Sequence, residues 1–272
     1  MNSPNSESKL KTKLAQLLSS STELISVDTA ISAWGVSREK ARMTLYSFCK
    51  QGWLSRIKRG YYVPVDLSSR LESPPLEHPW AVASKLWKPC YIAGWTACEY
   101  WDFTDQIFNT VQVFTSKQRN QQEYELNGTK YILHTVQESM IFGTKTVWQG
   151  QNRVQISDPS KTVIDMFYKP SYFGGIKQVT EFYKNYLNSK HKNIDLLIDY
   201  ALRFNKGVVF KRLGFITERI SPQEKAIIEV AYKNLSAGYS KLDTDLPKDQ
   251  LVSKWRLWVS KGWVKAFCDL AN

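Results

Sequence analysis

Between residues 10 and 65 three helix-period apolar stripes, separated by glycine stops, give way to a strand period around a basic turn, and few folds accept that order. Leu10, Leu14, Leu17 and Leu18 share one helical face, with Lys9, Lys11 and Lys13 outside it. Residues 24–26 read as a short extended piece, and Ser26 is placed to cap a second helix with the inner stripe Val27, Ala30, Ile31 and Trp34. Gly35 stops that helix and Ser37 is placed to cap a third. There Ala41, Leu45 and Phe48 recur at i, i+4 and i+7 and so face inward, and Gly52 closes the helix. Residues 53–57 and 61–65 then alternate like strands about Lys58-Arg59-Gly60. Helix, short strand, helix, tight turn, helix and basic hairpin is the order of a winged helix-turn-helix.

That order gives the charge a place to act. In such a fold the third helix enters the major groove and the hairpin meets an adjacent groove or the backbone. Away from its apolar stripe the third helix presents Arg38, Glu39, Arg42, Met43 and Tyr46, with Lys40 and Lys50 on its flanks. Arginine bonds guanine bidentately, so Arg38 and Arg42, one turn apart near the helix start, are candidates for base readout. Ser37 and the free N–H groups beside it suit a phosphate. Arg56, Lys58 and Arg59 of the hairpin are candidates for backbone neutralisation. Seven basic residues and one acid, Glu39, lie between Ser37 and Tyr61, an asymmetry that a merely solvated face does not need. The formal net charge of the chain, +12, also favours a polyanionic partner over a membrane surface, for which no basic amphipathic helix stands out.

Residues 66–79 hold Ser68, Ser69, Pro74, Pro75 and Pro79 and read as a linker, dividing residues 1–77 from a second domain of residues 78–272. Residues 1–77 carry 11 Lys/Arg against 7 Asp/Glu, which leaves 26 against 18 beyond, so the second domain is basic too. It mixes elements. Residues 80–87 and 94–103 look helical, and residues 111–114 suit a strand. Asn127-Gly128 marks a hairpin, and Gly150 a second one. Asp158 with Pro159 starts a helix, and helical patterns fill residues 175–235 before short extended segments close the chain. The fold class expected is α+β. Lys206, Lys211, Arg212 and Arg219 lie along one helical stretch and make a possible second basic surface for DNA or RNA.

Little in the sequence points to catalysis. Neither G-x-G-x-x-G nor G-x-x-x-x-G-K-[ST] occurs, nor the G-x-S-x-G of a hydrolase elbow. Asp102 and Asp105 lack the later acid-x-lysine pair of a two-metal nuclease. Cys49, Cys90, Cys98 and Cys268 form no C-x-x-C pair, and His78, His134 and His191 add no metal-ligand spacing. Cys49 and His134 read as packed side chains. No catalytic residue, metal or cofactor is expected. Scattered thiols, a polar leader and the lack of an 18-residue apolar run point to a cytoplasmic protein.

Strings spread over the chain resemble the AbiEi antitoxins of bacterial abortive-infection toxin–antitoxin systems. They are Arg59-Gly60-Tyr61-Tyr62-Val63-Pro64, Tyr91-Ile92-Ala93-Gly94-Trp95-Thr96-Ala97 and Ile156-Ser157-Asp158-Pro159-Ser160-Lys161-Thr162-Val163-Ile164-Asp165, followed by Lys211-Arg212-Leu213-Gly214-Phe215, Tyr239-Ser240-Lys241-Leu242-Asp243 and Trp255-Arg256-Leu257-Trp258-Val259. The chain departs from the family pattern at Ser260, where an asparagine closes the late motif. The resemblance implies a winged helix that represses its own operon at inverted repeats, and a larger antitoxin domain. The latter counteracts an AbiEii-like, nucleotidyltransferase-like toxin, by direct contact or without it. From the residues alone, a stand-alone winged-helix regulator and a DNA-targeted nuclease-like enzyme stay open.

Overall fold

Two serine caps set the amino-terminal architecture. Helix α1 (Pro4–Ser20) is followed by strand β1 (Ile25–Ser26), and Ser26 turns the chain into helix α2 (Val27–Trp34). The Ser26 hydroxyl accepts the Thr29 N–H at 3.0 Å, and the Thr29 hydroxyl accepts the Ser26 N–H at 3.4 Å, so two otherwise orphan donors are satisfied. Gly35 ends α2 at φ +62°, where a Cβ would be strained. Ser37 then caps helix α3 (Arg38–Lys50), and strands β2 (Leu54–Lys58) and β3 (Tyr61–Pro64) form a hairpin about Arg59-Gly60. Strand β3 also pairs with β1, giving a three-stranded sheet. The computed structural model describes residues 4–20, 24–65, 78–118, 121–126, 128–150, 152–261 and 263. The expected linker at residues 66–77 and Asn127 of the expected Asn-Gly turn lie outside them.

The winged helix-turn-helix expected from the sequence is the observed architecture. Ala41, Leu45 and Phe48 of α3 are fully buried, against Leu17 of α1 and Ala30 of α2. Trp34 packs edge-on to Phe48 with centroids 5.9 Å apart, and its Nε1–H donates to the Lys13 carbonyl at 2.9 Å, tying α1 to α2. The hairpin turn is fastened too, because the Val27 N–H donates to the Gly60 carbonyl at 3.2 Å.

Beyond residue 78 come α4 (Pro79–Leu86), β4 (Cys90–Ile92), α5 (Gly94–Tyr100) and β5 (Thr110–Thr115). Two hairpins follow, β6 (Glu123–Leu126) with β7 (Thr129–Thr135) and β8 (Thr144–Gln149) with β9 (Asn152–Ser157). Then come helices α6 (Pro159–Tyr168), α7 (Ile176–Asn188), α8 (Ile194–Phe204), α9 (Gly207–Ile220) and α10 (Lys225–Lys233). Short strands β10 (Ser240–Lys241), β11 (Gln250–Val252) and β12 (Leu257–Val259) make a small sheet of their own.

The main sheet is mixed, in the order β6-β7-β5-β4-β9-β8. Its register aligns Ile92 with Val113 and Ile156, and Val113 with Leu133, so one continuous apolar row crosses four strands. Helix α6 lies in the middle of the helical layer and is buried over residues 159–167. Its start is sharp, since Asp158 accepts the Lys161 N–H at 2.9 Å and Pro159 occupies the first turn. Leu24 and Val63 of the winged helix join this larger core, and the Lys58 ammonium lies 5.7 Å from the Tyr124 ring. Among the described residues no helix is long and apolar enough to cross a membrane.

Candidate nucleic-acid interface

Helix α3 and the β2–β3 hairpin face each other across a groove of about 500 Å³. Arg38 and Arg42 enter it from the helix, and Arg56 and Arg59 from the hairpin. The reason is local. Placing Ala41, Leu45 and Phe48 inward leaves Arg38, Arg42 and Tyr46 in an exposed row beside the buried stripe, and a bulge between Arg56 and Lys58 adjusts the hairpin before its turn. All four arginines are exposed. Met43 at 74% and Tyr46 at 59% are exposed as well, unusual for large apolar side chains and placed on the same helix.

Four of the eight candidates from the sequence therefore share one groove. The other four do not line it. Lys40 is exposed on the flank of α3, and Lys50 reaches back over the Tyr46 ring at 5.6 Å. Lys58 is half-buried and faces Tyr124 of the second unit. Ser37 is engaged within its own helix, its hydroxyl accepting the Lys40 N–H at 3.4 Å, so that one of the free N–H groups expected at the helix start is already taken.

Sequence reading missed Asp28. This exposed residue in the first turn of α2 lines the same groove and accepts a hydrogen bond from an Arg38 Nη, forming an ion pair. Ten residues separate the partners in sequence, and only the turn at Gly35 brings them together. An acid in the first turn of a helix carries its own explanation, complementing the helix dipole, and so gave no separate signal. Cys49 is half-buried in the last turn of α3, where burial pushes its thiol pKa up and only partly gives way to the nearby Arg56 charge. Such a thiol stays protonated, as packing requires and nucleophilic catalysis does not.

The second basic surface expected at Lys206, Lys211, Arg212 and Arg219 is corrected by the structure. Lys211 and Arg212 are buried. The Lys211 ammonium donates to the Gly238 carbonyl and, at 3.4 Å, to the Ser240 hydroxyl. Arg212 donates to the Phe167 and Tyr168 carbonyls at 2.9 and 2.8 Å and, through Nε and Nη2, to the Lys241 carbonyl. Burial lowers its pKa to about 10, against an opposing pull from Asp243. Arg219 is half-buried, its guanidinium 3.6 Å from the centroid of the Phe215 ring, and the Lys206 ammonium donates to the Gln137 side chain at 3.2 Å. The physical reason is that α9 packs against α6, α10 and the turn before Arg256 together, and so has almost no solvent face.

A polar network inside the second unit also escaped the sequence. Lys161 and Asp165, one turn apart on α6, form a buried ion pair, and Tyr91 of β4 bonds both, donating to Asp165 and accepting from Lys161 at 3.1 Å each. The Lys161 ammonium also lies 5.1 to 5.3 Å from the Tyr91, Phe142 and Phe204 rings. Burial lowers the lysine pKa and raises that of Asp165. Asp158 completes the cluster by accepting the Tyr200 hydroxyl at 2.7 Å. Enclosed on every side, the pair fastens α6 to the sheet. His134 is packed as the sequence indicated, stacked on Tyr172 with centroids 3.6 Å apart.

Residues 13–65, which span the groove and everything that positions it, match a family model described as a transcriptional regulator, AbiEi antitoxin. No curated protein matches the chain.

Proposed function

We propose that the amino-terminal domain, whose residues 13–65 match the AbiEi antitoxin model of transcriptional regulators, binds duplex operator DNA through the groove between α3 and the hairpin. The observation that carries the reading is the convergence of Arg38, Arg42, Arg56 and Arg59, from two separate elements, on one exposed groove. Helix α3 enters the major groove, where Arg38 and Arg42 read guanine edges and Met43 meets a thymine methyl. Asp28 holds the Arg38 fork in place for that contact. Arg56 and Arg59 neutralise phosphates and set the register. The domain represses its own operon at an inverted repeat. The remainder of the chain counteracts a nucleotidyltransferase-like toxin, a role that rests on the family likeness.

Selection from a pool of duplexes with randomised cores tests the DNA limb. The reading expects a short enriched motif, containing guanine, whose binding weakens steeply with salt. Enrichment of nothing, or equal affinity for every duplex at all salt concentrations, refutes it. For the antitoxin limb, co-expression with the toxin gene of the same operon is expected to restore growth, and unrelieved toxicity at good expression contradicts it.

A further inference from the structure

We propose that a second cleft, on the larger unit, receives an arginine side chain presented by a protein partner. The cleft measures about 580 Å³ and is lined by Trp80 of α4, Glu99 and Tyr100 of α5, Phe108, and the polar residues Asn109 and Thr129. In a chain with 37 Lys and Arg, the described residues of its lining include none of either, and the one charged side chain among them is the Glu99 carboxylate.

Three features define the ligand. Trp80 and Tyr100 meet edge to face, with centroids 5.4 Å apart and planes at 68°, so they form an aromatic corner with Tyr100 42% exposed. Phe108 adds a third ring, steadied against Trp95 at 4.5 Å. Aromatic faces attract cations, and a guanidinium also stacks on them. Glu99 is held beside these rings because it accepts the Phe108 N–H at 3.3 Å through one oxygen. A carboxylate so fixed favours a planar fork of donors over a point charge. The volume far exceeds that of an ammonium ion, and the hydroxyl and amide groups around it suit the peptide that carries the side chain. Among the described residues the cleft offers a phosphate a carboxylate and no cation, which favours a cationic ligand over DNA.

The test uses the full chain and a short peptide of one arginine flanked by glycines, compared by calorimetry with its citrulline counterpart, a neutral isostere, and with spermidine. The arginine peptide is expected to bind about tenfold more tightly than the citrulline peptide. Glu99→Gln, which keeps an oxygen for the Phe108 N–H, is expected to remove most of that difference, and Trp80→Ala all binding, with duplex binding unchanged in both. Equal affinities for the two peptides, or no saturable binding at millimolar concentrations, overturn the proposal. Tighter binding of spermidine than of the arginine peptide overturns it as well, by assigning the cleft to a free polyamine. The duplex arm is independent: its failure counts against the operator reading and leaves the cleft result standing.

Discussion

Four arginines in the amino-terminal groove and the four basic residues Lys206, Lys211, Arg212 and Arg219 at and along α9 carry the same formal charge but touch opposite things. Arg38, Arg42, Arg56 and Arg59 face solvent, and Arg38 pairs with the exposed Asp28 carboxylate. Arg212, by contrast, is surrounded by three backbone carbonyls, and Lys211 by a carbonyl and a hydroxyl. The first set has donors to offer a ligand. The second uses its donors to fasten β10 and the end of α6 to α9. Charge on a helix thus says little about partners until it is known how much of that helix meets water.

The comparison breaks most readily at the groove. Arg38→Ala with Arg42→Ala is expected to weaken binding of the selected duplex about 100-fold or more, on about 1–3 kcal/mol for each bidentate base contact. The melting temperature should stay nearly constant, since neither side chain is buried. Fluorescence anisotropy and thermal denaturation of the same sample measure both. Unchanged affinity removes α3 as the reading element.

Arg212→Met should do the reverse. It leaves the Phe167, Tyr168 and Lys241 carbonyls without their donors, and a loss of about 3 kcal/mol in stability is expected. Denaturant titration gives the value, and duplex affinity per folded molecule should match the parent. If the variant loses DNA affinity while keeping its stability, the buried set has been misassigned.

Acid separates the regions in another way. Burial holds the His134 pKa at about 4, below its ordinary 6.5, so the folded state binds fewer protons than the unfolded state between those values. Stability tied to His134 is therefore complete above pH 6.5 and is lost as pH falls towards 4, by up to about 3 kcal/mol. His134→Phe should flatten that part of the stability profile. An identical pH profile in the variant contradicts the assignment.

The smallest effect expected is the loss of one phosphate contact. Arg56→Ala should lower the salt slope of duplex binding by about 1 while leaving the preferred sequence unchanged. A changed sequence preference would move Arg56 from the backbone set to the base-reading set.

What the sequence disclosed follows the range of the interactions. Ser26, Gly35, Ser37 and Gly60 act on neighbours a few residues away, and so the winged helix could be read residue by residue. Asp158-Pro159 announced α6 for the same reason. Long-range placement was not legible. Tyr91 and Asp165 meet across 74 residues. The aromatic cleft draws Trp80, Glu99, Tyr100 and Phe108 from two helices and a loop. Strand β11 is three residues long, too short for a period to register. On α9 a clue was present, since the stretch Val208-Val209-Phe210-Lys211-Arg212-Leu213-Gly214-Phe215-Ile216 has apolar residues all round the helix, which is the mark of burial and not of a basic face.

The central claim, that the exposed arginines of the groove hold the DNA, is met most directly by nuclear magnetic resonance of the full chain labelled at arginine nitrogen. On titration with the selected duplex, the side-chain signals of Arg38, Arg42, Arg56 and Arg59 are expected to move together and saturate while that of Arg212 stays in place. Saturable binding that leaves the groove signals unmoved, or that shifts Arg212 with them, would contradict the account.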